Sequence, residues 1–335
     1  MALRIIEVVA PGVPGEEVLG HLDREKVLNV WQTELSDGGS STRILLPSNE
    51  TEEVTDLLAS RLQHREDYRI LLLEVEATYP RLEEAEKEDE DEEEGREEEP
   101  IPDRLNREEL YQALSEGGRV SRVYLVTTAL ATVVAAAGLI RGDVAVIIGA
   151  MVIAPLLGPN VALALASTLG DLELAGRAGK AIGWGAGLAF GLSLLVGMLF
   201  PVDPTVPEVA SRTRAGVGDL ALALAAGSAG TLAYTTGLPA AVIGVMVAVA
   251  LLPPLVVAGL MLGAGETALA VGALVLVLTN VTAVNLAGVA TFLVQKVRPR
   301  RWWEAERAKK ATRIALGTWT ALVAILVLVM IRIYG

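Results

Sequence analysis

The stretch VIIGAMVIAPLLGPNVALALA, residues 146–166, is apolar enough to cross a lipid bilayer yet carries Pro155 and Pro159 inside it. Proline has no N–H, and its ring clashes with the carbonyl four residues back, so a helix is interrupted there. Hydrocarbon holds no water to satisfy the freed carbonyls. An interruption is therefore tolerated only where the backbone is buried in protein or lines a wet cavity. A chain with this stretch has to build several other helices around it. Composition agrees, because 52% of the 335 residues are hydrophobic and 33 are Gly, outside the norm for a soluble domain.

From Val120 onward, seven apolar segments are long enough to cross a core of about 30 Å. They lie near 121–140, 143–168, 181–200, 217–236, 239–262, 267–294 and 314–334, the fourth being rich in small residues and opening on Asp219. Basic residues set the orientation. Arg119, Arg122, Arg177, Lys180 and the Lys296–Arg313 cluster fall on one side, against Arg141, Arg212, Arg214 and Arg332 on the other. The expected location is the plasma (inner) membrane, multi-pass, with the N-terminal region in the cytoplasm; MALRIIEVVAPGVPGEE lacks the apolar core of a signal peptide.

Shifting the sequence by 95 residues lays GDVAVIIGAMVIAPLLGPNVALAL on GLPAAVIGVMVAVALLPPLVVAGL without a gap. Gly149, Met151 and Pro159 meet Gly244, Met246 and Pro254, and Gly170 and Asp171 meet Gly265 and Glu266. The offset pairs spans one to three with spans four to six. Three is odd, so the second copy enters the membrane from the opposite face, and the repeats are inverted about an axis in the membrane plane. Repeat 1 covers about 120–200, repeat 2 about 217–295, and a final span about 314–334. Pro155 and Pro159 then stand opposite Pro253 and Pro254 near mid-bilayer, as the discontinuous helices of a secondary transporter do. The competing reading is that these prolines only kink packing helices.

Polar residues in the spans add to the list. Span six carries Thr279, Asn280, Thr282 and Asn285, and Asn160 follows Pro159. Buried amides either bridge helices or hold a substrate or ion. The candidate substrate-binding set is Pro155, Gly158, Pro159, Asn160, Pro253, Pro254, Asn280, Thr282 and Asn285. Gly183, Gly187 and Gly191, four residues apart in span three, read as a helix-packing ridge. No acid, base or histidine lies in the centre of a span, which argues against a proton relay.

The N-terminal part has a different texture. LRIIEVVA, VLNVWQTEL, SSTRILLP and RILLLEVEATY read as strands; PGEEVLGHLD and NETEEVTDLLASRLQ read as helices, the second capped by Ser48 or Asn49 with Leu57, Leu58 and Leu62 on one face. The order βαββαβ over residues 1–80 is that of a ferredoxin-like domain. Glu83–Glu99 holds thirteen carboxylates against Lys87 and Arg96 and accounts for most of the formal charge of −13. With one apolar residue in that run, 81–102 reads as a solvated acidic linker. Residues 103–119 form an amphipathic helix, with Leu105, Leu110, Tyr111 and Leu114 on the side that lies on the membrane surface or the next subunit. The expected fold is thus an α-helical polytopic membrane protein of seven spans, with a 3+3 inverted repeat and one extra span, preceded by a small α+β domain.

Several functions are excluded. No broad basic face remains for nucleic acid. Cysteine is absent, removing thiolate metal sites and Cys nucleophiles, and His21 and His64 have no partner at ligand spacing, so no metal and no cofactor is implied. GVGD at 216–219 lacks the second aspartate of an intramembrane protease, and no Ser and His pair exists in the membrane body, so the chain is not expected to be an enzyme.

At GAMVIAPLLGPNVALALA and LTNVTAVNLAG the chain resembles the hydrophobic membrane proteins of domain of unknown function family 389, over about residues 105–300. The resemblance implies that Gly149, Met151, Pro155, Pro159, Asn160, Asn280 and Asn285 are core positions, and that a small cytoplasmic domain precedes the membrane part. It implies no activity. Two functions fit: a transporter or channel-like protein with its site at the broken helices and a regulatory head, or a membrane-anchored sensor or scaffold whose head binds a nucleotide or amino acid. Expected partners are the lipid bilayer, a small-molecule or ion ligand, and further copies of the chain in a homo-oligomer.

Overall fold

Alternation along LRIIEVVA turns Ile6, Val8 and Ala10 to one face of strand β1, Leu3–Ala10, where all three are buried. The computed structural model describes residues 3–11, 27–35, 39–65, 67–75, 105–236, 251–297 and 302–334. It divides into two units, Met1–Glu109 and Leu110–Gly335. In the first unit β1 is flanked by β3, Ser40–Pro47, and β4, Arg69–Val75, while β2, Asn29–Glu34, pairs with β3. The order is β2-β3-β1-β4, every pair antiparallel, with Ile6 opposite Ile44 and Leu72. Helix α1, Thr51–Leu62, lays Val54, Leu58 and Leu62 on Ile6, Val8, Ile44 and Leu46.

Two local expectations change. Neither Ser48 nor Asn49 caps α1, whose N-cap is Glu50 without a side-chain hydrogen bond. The chain enters through a turn in which the Glu50 N–H donates to the Pro47 carbonyl at 3.1 Å, and Thr51 Oγ1 donates to the same carbonyl at 3.2 Å. Leu57 is half-buried, and Val54 and Ala59 join Leu58 and Leu62 on the packed face. The predicted helix PGEEVLGHLD, with His21, lies outside the described residues.

Helix α2, Arg107–Gly117, begins in the first unit. Arg107 is buried and donates to Asp56 at 2.8 Å, with Glu52 at 3.5 Å; Arg4, also buried, stands 3.4 Å from Glu109. Burial works against the Arg107 charge, but the Asp56 hydrogen bond and the surrounding carboxylates outweigh it and raise its pKa. The Glu109 carboxyl goes up, pushed by burial more than Arg4 pulls it down.

The later turns of α2 are not left for the membrane surface. Leu110 and Leu114 are fully buried in a cluster with Leu157, Val161, Leu165 and Leu174, and the Tyr111 hydroxyl donates to Asp171 at 2.7 Å. The apolar side of this amphipathic helix finds its partner inside the second unit.

That unit continues with α3, Arg122–Arg141; α4, Val144–Ile153; α5, Leu157–Leu169; α6, Leu172–Leu199; the short α7, Pro207–Ala210; α8, Val217–Thr235; α9, Leu252–Gly263; α10, Thr267–Val294; and α11, Trp302–Tyr334. Asp143 and Asp171 cap α4 and α6 through their side chains. Asp219 of GVGD accepts from the Gly216 N–H at 2.9 Å, so it serves the start of α8. Among the described residues, α3, α6, α8, α10 and the Thr312–Arg332 part of α11 are long and apolar enough to cross a membrane. The pair α4 and α5, bent by 50° at its break, makes a sixth candidate, and α9 is a shorter apolar helix. The predicted span 239–262 is described only from 251 onward.

Close backbone approach holds the helices together. A Cβ on Gly259 would fall 2.6 Å from the Ser193 Cβ and 2.7 Å from the Phe190 carbonyl, so α9 presses on α6 there. A Cβ on Gly288 would fall 2.8 Å from the Ala164 Cβ, and one on Gly227 2.8 Å from the Val284 Cα, so α10 meets both α5 and α8. Gly183, Gly187 and Gly191 do not do this work among the described residues, where nothing lies within 4 Å of a Cβ at any of them. The contacts on α6 fall on Gly185, beneath Tyr124, and on Gly197, beneath Leu260.

Candidate functional site

The predicted interruption of span two is present. Ala154 turns extended, at φ −72° and ψ 117°, as the residue before a proline must, and α4 stops there. Pro155 has no N–H to offer the Met151 carbonyl. Helix α5 restarts at Leu157, with Gly158 second and Pro159 third, where a missing N–H costs nothing because first-turn amides have no intrahelical acceptor. Pro253 and Pro254 hold the second and third positions of α9 in the same way.

Asn160 and Asn285 come together. Asn160 Nδ2 donates to the Leu156 carbonyl at 2.8 Å, which ties it to the break. Asn285 Nδ2 donates to Asn160 Oδ1 at 3.0 Å and to its own helix at the Val281 carbonyl, at 2.9 Å. Both residues are buried, Asn160 3% and Asn285 0% exposed. The relay of amides ends on Asn285 Oδ1, a buried acceptor that no donor reaches. Leaving such a group unmet costs about 1–3 kcal/mol.

Other predicted residues stand apart from this pair. Asn280 is buried on α10, but five residues from Asn285 is a rotation of about 140° from it around the helix. Thr282 Oγ1 donates to Leu278 of its own helix at 2.6 Å, which occupies its hydrogen. Pro253 and Pro254 are buried, and Leu252 and Leu255 on either side of them belong to the core cluster that includes Ala154 and Leu156. No hydrogen bond joins α9 to the asparagine pair among the described residues.

The structure adds two groups the sequence reading missed. Gly158 faces the Gly117 carbonyl and the Tyr234 hydroxyl, each 3.3 Å from where its Cβ would stand. The Tyr234 hydroxyl makes no hydrogen bond among the described residues. Tyr234 is the single aromatic residue of α8, LALALAAGSAGTLAYT after its first turn, and that isolation was the available signal. Gly117 had no signal, because its role depends on α2 packing against α5.

Among the described residues no cluster of His, Asp and Glu is set to hold a metal. What α5 offers is neutral: a first turn with free amides, one unmet amide oxygen, one hydroxyl and one backbone carbonyl.

Two comparisons with known proteins give matches. The model for Domain of unknown function (DUF389) matches residues 151–286, which run from the end of α4 past Asn285. An uncharacterized protein of Methanocaldococcus jannaschii is 36% identical over 303 residues, covering 90% of this chain and 91% of the relative. The chain belongs to the DUF389 family. No solved structure matches it. Membership in a family of unknown function and the apolar helices together fit an integral membrane protein.

Proposed function

We propose that this DUF389 protein is a transporter or channel-like protein of the plasma (inner) membrane, with its site at the break between α4 and α5 and a cytoplasmic head that regulates it. One observation carries the reading. Helices α5 and α9 begin 95 residues apart, at Leu157 and Leu252, and α6 and α10 share that offset at both ends, Leu172–Leu199 against Thr267–Val294. Gly170 and Gly265, again 95 apart, both take positive φ, 72° and 86°.

The contacts repeat as well. Ala164 of α5 meets Gly288 of α10, and the positions 95 residues from each, Gly259 and Ser193, meet between α9 and α6. Each half-helix therefore packs on the long helix of the other half. Such an exchange supports two copies of one unit, inverted because each holds three crossings, with 239–262 as the fifth and 314–334 as the seventh span. Discontinuous helices at the meeting point of inverted repeats are where secondary transporters bind their solutes.

For the head, the sheet order β2-β3-β1-β4, all antiparallel, with α1 between β3 and β4, supports a ferredoxin-like domain. The direct chain connection through α2 supports a regulatory role for it.

The natural absence of cysteine makes the test direct. Single variants Asp171→Cys and Glu266→Cys are labelled in sealed vesicles with a membrane-impermeant maleimide. The inverted repeat requires the first to react from the cytoplasmic side and the second from the opposite side. Reaction of both from one side overturns the repeat and the site with it.

A further inference from the structure

We propose that the first turn of α5 binds a small uncharged solute carrying both hydrogen-bond donors and acceptors, an inference that rests on the transporter reading above. The groups available there come in both polarities and none is ionised. Asn285 Oδ1, fully buried and without a donor, calls for an O–H or N–H. The Leu157 and Gly158 amides in the opening turn of α5 have no intrahelical acceptor and call for a lone pair. The Tyr234 hydroxyl, 3.3 Å from the missing Cβ of Gly158, serves in either sense, and the Gly117 carbonyl at the same distance accepts.

An ion fits this set badly. A cation would meet the positive end of the α5 dipole, and an anion the bare amide oxygen of Asn285. Neither would find a counter-charge on α4, α5, α10 or the part of α8 after its first turn, because residues 144–169, 220–236 and 267–295 contain no Asp, Glu, Lys, Arg or His. A neutral solute with donors and acceptors, such as a polyol or an amide, satisfies both polarities without leaving a charge in a low-dielectric site. Gly158 fits the same purpose, since a side chain there would fill the space between Tyr234 and Gly117.

The test uses full-length protein in proteoliposomes, with glycerol, urea and acetamide gradients followed by stopped-flow light scattering. The same vesicles are examined for currents in NaCl and KCl gradients. Re-swelling several-fold faster than in empty liposomes with one of the three solutes, and no current, is the expected result. Tyr234→Phe removes only a hydroxyl that makes no hydrogen bond among the described residues; a several-fold slower flux is expected, and Asn285→Leu and Gly158→Val should approach the empty-liposome rate. Solute flux that is unchanged in Tyr234→Phe and Asn285→Leu overturns the site and leaves a buried water as the partner of Asn285. Ion currents without solute flux overturn the uncharged solute while the transporter reading stands. Neither flux nor current overturns both.

Discussion

Where α5 leaves its break and meets α10, two asparagine amides are buried against each other. Where α9 meets α6, the positions 95 residues away are Leu255, within an apolar core cluster, and Phe190, packed against it. The steric contacts are shared by the two places, with Ala164 on Gly288 in one and Gly259 on Ser193 in the other. In the proposed repeat, shape has therefore been kept on both sides and polarity on one. Close packing is what either half needs to stand in lipid, where apolar contact between helices brings no hydrophobic gain. A buried amide pair with an unmet oxygen is not needed for that, as the apolar half demonstrates.

The steric half of this comparison yields the largest effect. Gly259→Val and Gly288→Val each force a branched side chain into a space where even a Cβ falls below 3 Å of a neighbour. Overpacking of this kind costs about 1–3 kcal/mol and occasionally more. Gly259→Val should be the worse, because its neighbours include the Phe190 backbone carbonyl, whereas Gly288 presses on the Ala164 methyl. Thermal unfolding in one detergent, followed by tryptophan fluorescence, reads both. Gly187→Ala, with open space around it, should stay within about 0.5 kcal/mol of the parent. If Gly288→Val is tolerated as well as Gly187→Ala, the two contacts are not equivalent and the comparison breaks.

The polar half gives an intermediate effect with a particular shape. Asn160→Leu strips Asn285 Nδ2 of one acceptor in a buried site, at a cost of about 1–3 kcal/mol. Adding Asn285→Leu makes this half resemble the other, and most of that cost should return, with a coupling of about 0.5–3 kcal/mol in a double-mutant cycle. Stability would then be recovered and solute flux would not. Additive losses in the cycle, or full flux in the double variant, would mean that the amide pair has no role separate from packing.

Much of this was legible beforehand and some was not, for identifiable reasons. Proline punctuation and the 95-residue offset marked the break and the starts of α5 and α9, because a missing N–H acts locally and leaves its mark on any chain. Asn160 and Asn285 were both named from the sequence, but so were Asn280 and Thr282. Sequence spacing tells which residues share a helix, and only the rotation of α10 against α5 decides which amide reaches Asn160. Which glycines of α6 meet other helices was hidden for a similar reason. Gly183, Gly187 and Gly191 do line one side of α6, while the side pressed by α3 and α9 carries Gly185 and Gly197. The fate of α2 was hidden altogether, because an apolar stripe does not say whether lipid or protein will cover it.

The smallest expected effect lies at the loops that follow the half-helices, where the two halves differ in one cap. Asp171 Oδ1 accepts from the Glu173 and Leu174 N–H groups, both at 2.9 Å, while Glu266 at the matching place makes no side-chain cap to α10. Asp171→Ala should therefore cost about 1 kcal/mol and Glu266→Ala close to nothing. This asymmetry depends on pH. Burial draws the Asp171 carboxyl upward, but the Leu174 amide, the Tyr111 hydroxyl, the Glu173 amide and Arg177 outweigh it and hold the pKa below its ordinary value. A depressed carboxylate stabilises the fold above its unfolded pKa of about 3.9, and the contribution is lost as pH falls through the folded value. Melting curves of Asp171→Ala and the parent should accordingly converge below about pH 4 and stay apart above it. A gap that persists unchanged in acid would mean that the Asp171 side chain stabilises α6 without its charge.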